Sequence, residues 1–137
     1  MSTLLFVYGT LKRGCCNHAQ LAGQTFVGPA RTQPGYRLYD LGGYPGIVAM
    51  PGDHEGVVGE VWSVDEDCLR LLDHFEGVHE GLYRRESLPL QPPFAAQNVD
   101  AYVSGVAGAG RRAIGAEWNE PRSPARERRD SAAPQPP

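Results

Sequence analysis

Glu76 occupies the position in this chain most suited to proton chemistry. In Leu71-Leu72-Asp73-His74-Phe75-Glu76-Gly77 it follows Leu72 by four residues and Leu69 by seven, which sets it at the border of the apolar face of a helix. Desolvation at that border, the negative end of the helix dipole and the like charge of Asp73 three residues earlier all disfavour the carboxylate and push its pKa up. A carboxyl group poised toward neutral pH can take a proton and later return it, as general acid/base catalysis requires. A structural role competes with this one: Glu76 caps a backbone N–H or pairs with Arg84 or Arg85, and spacing alone leaves both readings open.

The second candidate is the turn in Phe6-Val7-Tyr8-Gly9-Thr10-Leu11-Lys12-Arg13-Gly14, where an apolar run ends in a polar segment bracketed by glycines. Such a turn can present consecutive backbone N–H groups to an anion, and the missing side chain at Gly9 would let a ligand approach the backbone. A small carboxylate or phosphate fits that description. Gly9 and Gly14 have the spacing of a phosphate-binding P-loop, but Cys15 and Cys16 stand where that motif needs Lys and Ser or Thr, so the nucleotide reading fails. The plainer alternative is that Gly9 only turns the chain and that Lys12 and Arg13 are solvated charges.

Other residue types offer less. His18, His54, His74 and His79 have no metal-ligand spacing with the cysteines, so no metal is expected. Ser63, Ser87 and Ser104 lack a nucleophile-elbow sequence. Three cysteines are an odd number, and adjacent Cys15 and Cys16 make a strained pair, which points to reduced thiols and a cytoplasmic protein. The N-terminal apolar stretch has no basic leader and is too short to span a bilayer, and a net charge of -3 gives no field for nucleic acid or an anionic membrane. A small molecule is the expected partner.

The elements that must position these residues follow from periodicity. Strands are predicted over Leu4–Tyr8, Thr25–Thr32, Tyr36–Asp40, Ile47–Met50, Val57–Val64, Tyr83–Leu90 and Val99–Ser104, separated by turn signals such as Gln33-Pro34-Gly35. A helix is predicted from Asp65 to Glu76 with Cys68, Leu71, Leu72 and Phe75 on its buried face, acidic residues at its start and Gly77 to end it. A shorter helix is placed after Asn17, from His18 to Leu21. Strands with few helices predict an α+β fold, a barrel-like domain with short helices packed against it. From Ala107 onward six Arg stand against three Glu and one Asp in a Gly-, Ala- and Pro-rich setting, so residues 1–121 are read as the domain and 122–137 as a disordered tail. Trp118 is the exception, an aromatic expected to dock on the domain.

Taken together, several ordered segments resemble the γ-glutamyl cyclotransferase-like superfamily in its AIG2-like branch. They are Phe6 to Gly14 with Asn17-His18, Tyr44-Pro45-Gly46-Ile47-Val48, Gly59-Glu60-Val61-Trp62-Ser63-Val64-Asp65, and Leu72-Asp73-His74-Phe75-Glu76 with Tyr83-Arg84-Arg85. The match runs in consistent order from Leu4 to Val106. The resemblance implies a small mixed β-barrel with helices packed against it and a cofactor-free enzyme. Tyr8, Gly9, Thr10 and Leu11 would hold the α-carboxylate of a γ-glutamyl group, Glu76 would be the catalytic acid/base, and Tyr83 would support the pocket. It further implies release of 5-oxoproline and a free amine from a γ-glutamyl amine by attack of the substrate's own α-amine. The leaving amine stays open, with a specialised γ-glutamyl metabolite as one option. A non-catalytic module binding a γ-glutamyl or acidic ligand is the alternative from another class.

Overall fold

The computed structural model describes residues 2–42, 44–105 and 112–119. Its organising strand is β5, Val58–Asp65, whose alternating side chains serve two cores. β5 pairs antiparallel with β1, Ser2–Val7, on one edge and with β2, Thr25–Arg31, on the other. Among the described residues no strand lies beyond β2, an edge position where Pro29 is tolerated. The remaining strands are β3, Tyr36–Asp40, β4, Pro45–Ala49, β6, Tyr83–Ser87, β7, Val99–Ser104, and β8, Arg112–Gly115. They continue the sheet in the order β2-β5-β1-β7-β4-β3-β8, with β6 pairing β7.

The candidate site lies at a fork beside β7. Its first half runs parallel to β1, with Leu4 opposite Val99 and Phe6 opposite Ala101, while its second half meets β4, with Ile47 opposite Val103. β1 and β4 therefore share one edge of β7 in succession, and the chain leaves β1 at Tyr8 where β4 takes over. The curled sheet is the mixed α+β architecture expected, but it is an open barrel: among the described residues no ladder joins β8 back to β5, and a backbone bond, Val58 N–H to Ala116 O at 2.8 Å, reaches across that gap.

Inside the curl lie Phe6, Leu38, Ile47, Val61, Val99, Ala101 and Val103. The opposite face, with Leu5, Val7, Trp62, Val64, Tyr83 and Tyr102, is covered by α1, Glu66–Phe75, and by a 3-10 turn, His18–Leu21. The helix lies one position away from the predicted face: Cys68, Leu69 and Leu72 are buried, and Leu71 is 68% exposed. Residues i, i+1 and i+4 thus make the stripe, which carries Glu76, in register with Leu69 and Leu72, onto the buried side.

Three further expectations need comment. β8 falls where composition suggested the approach to a tail, yet it pairs with β3. Past Ser87 the predicted strand breaks up, leaving Leu90 in a single bridge to Thr32. Trp118 packs against the inner core as expected. The expected tail from residue 122 onward lies outside the described residues. No helix among the described residues is long and apolar enough to cross a membrane.

Candidate active site

A pocket opens at the fork between β1 and β4, and its wall includes Tyr8, Gly9, Thr10, Leu11, Glu76 and Tyr83. All six residues singled out in the sequence therefore meet in one place. Counting its open mouth, the empty space within the pocket is about 310 Å³. Phe6, Val7, Pro45 and Tyr102 complete the wall.

The turn after β1 is fixed by its carbonyls. Gly9 O accepts from Lys12 N–H at 3.1 Å, Thr10 O from Asn17 N–H at 2.9 Å, and Leu11 O from the His18 ring Nδ1 at 2.9 Å. Buried Asn17 also donates through Nδ2 to Thr10 Oγ1 at 3.0 Å, and His18 stands edge-on to Trp62. With all three carbonyls engaged, the N–H groups of Gly9, Thr10 and Leu11 donate to no other described residue, leaving a row of donors beside the pocket. Gly9 serves a different purpose from the one predicted. A Cβ there would come 2.5 Å from Pro45 Cγ, so the close approach is made by the protein itself, where β4 begins.

Lys12 is not a solvated charge, whereas Arg13 is exposed, as the plainer alternative has it. Lys12 is buried and its ammonium donates to Trp118 O at 2.7 Å. Arg13 pairs with Glu60 at 3.1 Å and lies 3.8 Å over the Phe26 ring. Both residues brace the turn from behind.

Glu76 closes the helix: its N–H bonds Leu72 O, and Gly77 follows with φ of 70°, a left-handed position that glycine adopts without strain. The residue is 4% exposed. Three phenols surround its carboxyl, and every one of them donates elsewhere. Tyr8 donates to Tyr102 O at 2.5 Å and accepts from Ile47 N–H, Tyr83 donates to Pro45 O at 2.7 Å, and Tyr102 donates to Asp73 Oδ1 at 2.7 Å. Neither candidate arginine reaches it, since Arg84 pairs with Glu86 and Arg85 with Asp73 and Asp100. Among the described residues the Glu76 carboxyl has no hydrogen-bond partner. Burial, and then the nearby Asp73 charge, push its pKa up to about 8. Burial likewise raises Tyr8, Tyr83 and Tyr102, so these phenols keep their protons.

Sequence reasoning missed Tyr102 and Pro45 as parts of this wall. Alternation in β7 puts Tyr102 on the helix side, but nothing in the sequence alone brings that strand against β1 and β4. Cys15 and Cys16 are not among the lining residues, Cys68 is on the buried face of α1, and none of the three is in a disulfide. No group of three or more His, Cys, Asp or Glu among the described residues could hold a metal ion.

The family profile "Gamma-glutamyl cyclotransferase, AIG2-like" matches residues 5–120. A Vibrio cholerae protein named as a candidate gamma-glutamylcyclotransferase is 43% identical over 102 residues, 74% of this chain and 84% of its own. A human protein named gamma-glutamylaminecyclotransferase is 42% identical over 95 residues, 64% of this chain and 61% of its own. The chain thus spans about three fifths of the length of that vertebrate relative. Among solved structures, an AIG2-like protein from Mus musculus superposes with a TM-score of 0.73 at 28% identity, covering 88% of this chain and 97% of the other.

Proposed function

The chain belongs to the gamma-glutamyl cyclotransferase, AIG2-like family, and from that premise we propose that it releases 5-oxoproline and a free amine from a γ-glutamyl amine. The observation that carries the proposal is the buried Glu76 carboxyl, which has no hydrogen-bond partner among the described residues and lines a pocket together with the donor row of Gly9, Thr10 and Leu11. The donor row suits the α-carboxylate of a glutamyl group. Held there, the substrate's α-amine and γ-carbonyl lie in a confined space with Glu76, which favours ring closure over escape.

In the reaction the α-amine nitrogen attacks the γ-carbonyl carbon and Glu76 takes the proton that nitrogen gives up. The tetrahedral centre then expels the leaving amine, to which Glu76 returns the proton. Because the nucleophile comes with the substrate, one proton carrier suffices. A carboxyl with pKa of about 8 can both take a proton and return it near neutral pH. Tyr8 and Tyr83, locked by bonds to backbone, tie the elements around the fork together. Cysteines outside any disulfide support a reducing, cytoplasmic setting.

Purified protein incubated with γ-glutamyl-ε-lysine and with γ-glutamyl dipeptides is expected to form 5-oxoproline, and the series of leaving groups identifies the preferred amine. Glu76→Gln is expected to lower turnover by about 10²–10⁴-fold with the fold intact. Full activity in that variant removes Glu76 from the mechanism. Binding of γ-glutamyl compounds with no turnover on any of them identifies a non-catalytic binding module instead.

A further inference from the structure

Behind Glu76, away from the pocket, lies a charged cluster that the proposed chemistry does not itself use. Asp73, one helical turn before Glu76, receives Arg85 Nε on Oδ1 at 2.8 Å, Arg85 Nη2 on Oδ2 at 3.2 Å and the Tyr102 hydroxyl on Oδ1 at 2.7 Å. Arg85 turns its third nitrogen, Nη1, to Asp100 Oδ2 at 2.9 Å. The β6–β7 register sets Arg85 directly opposite Tyr102, so both point from the sheet toward the end of α1. Two carboxylates against one guanidinium leave the cluster with an excess of negative charge beside a buried carboxyl.

Resting on the reading of Glu76 as the proton carrier, we propose that Asp73 and Arg85 are positioning residues that govern the protonation of Glu76 in opposite senses, with Asp73 also holding the Tyr102 hydroxyl. Asp73 and Glu76 share one face of the last helical turn, where like charges interact. Bidentate pairing with Arg85 holds Asp73 in place while muting its field, because a guanidinium fork matches a carboxylate in geometry as well as charge. The ionisable groups that face Glu76 are Asp73 from α1, Tyr8 from the turn after β1, Tyr83 from β6 and Tyr102 from β7. Arg85 from β6 and Asp100 from β7 stand behind Asp73. The phenols stay neutral, so charge variation at Glu76 comes from the cluster.

Carbon-13 NMR of glutamate carboxyls in substrate-free protein reads the Glu76 titration directly, with Glu76→Gln assigning its signal. Asp73→Asn is expected to lower the midpoint by about one pH unit, and Arg85→Gln, which leaves Asp73 bound by Tyr102 alone, to raise it by a similar or smaller amount. The limb of the kcat/KM profile that tracks Glu76 should move in the same two directions. Tyr102→Phe keeps the ring and removes only the bond to Asp73, so it should follow Arg85→Gln with a smaller shift. It also serves as the test should a variant of the ion pair fail to fold. Midpoints that do not move, or that move the same way in Asp73→Asn and Arg85→Gln, overturn the proposal, since a merely structural pair has no reason to act in opposite senses. Because the titration needs no substrate, failure of turnover on every γ-glutamyl compound would overturn the catalytic reading alone.

Discussion

Helix α1 carries a carboxylate at each end, and the two ends treat it oppositely. Asp65 precedes the first turn, where its side chain accepts from Cys68 N–H at 2.8 Å and Gln24 Nε2 adds a longer contact. Those bonds lower its pKa, because donors and the positive end of the dipole stabilise the charged form. Glu76 follows the last turn, where the exposed backbone groups are carbonyls, the neighbouring charge is Asp73 and the phenols donate elsewhere, and its pKa rises to about 8. The same functional group is a structural cap at one end and, in the function proposed above, a proton carrier at the other. What distinguishes them is the supply of donors and water, not the residue type.

Replacing Glu76 tests the unfavourable end and should have the largest effect. Beyond its loss of turnover, Glu76→Gln should be more stable than the wild type near neutral pH. The folded value of about 8 lies above the ordinary 4.5, so between them the unfolded chain has released a proton that the folded chain keeps. The stability Glu76 contributes is fully present below pH 4.5 and is lost as pH rises to about 8. Gln has no proton to lose, so its advantage should grow across that window, reaching at most roughly 3 kcal/mol at pH 7. Urea titrations of both proteins at pH 4.5, 6 and 8 would show it. An advantage that is constant with pH would mean that Glu76 is not held neutral by the fold.

The contrast between the ends was partly legible in the sequence. Asp65 before an apolar period and Gly77 after it mark the two termini, and the spacing of Glu76 from Leu69 and Leu72 marks its burial, because those signals are local. The strands were legible for the same reason. The missing part was long-range. That Tyr102 and Pro45 join the pocket depends on β7 meeting β1 and β4 along one edge, a pairing no local pattern encodes. Leu71 was placed inward because four apolar positions matched a helical stripe that Leu69 in fact shares. β8 was lost in a composition that elsewhere signals disorder, although its pairing with β3 gives it a place in the sheet. Gly9 looked like room for a ligand, since sequence cannot distinguish a space left for substrate from one filled by Pro45.

That last point supplies a way to weaken the contrast without touching the helix. Gly9 has no positive φ, so Gly9→Ala meets a steric obstacle alone, a methyl 2.5 Å from Pro45 Cγ and 3.2 Å from Cδ. A proline ring cannot rotate away, so β4 must shift, taking with it the carbonyl that holds Tyr83. The expected cost is about 1–3 kcal/mol, the range for overpacking. A wall opened in this way admits water to Glu76, so its titration should fall toward ordinary carboxyl behaviour, and KM should rise as the donor row moves. Unchanged stability would show that Pro45 yields freely.

The smallest effect belongs to the favourable end. Asp65→Ala removes the acceptor from Cys68 N–H and should lower Tm by a few degrees at neutral pH, the usual consequence of losing a helix cap. Because the folded pKa of Asp65 lies below its ordinary 3.8, its contribution is present above that value and lost as pH falls through the folded one, so the gap from wild type should narrow in acid. Asp65→Asn keeps an acceptor and should recover most of the difference. Turnover per folded molecule should stay at the wild-type level in both variants, since Asp65 stands at the far end of a helix of ten residues from the pocket. A loss of turnover matching that of Gly9→Ala would instead show that the start of the helix, and not only its last turn, sets the position of Glu76.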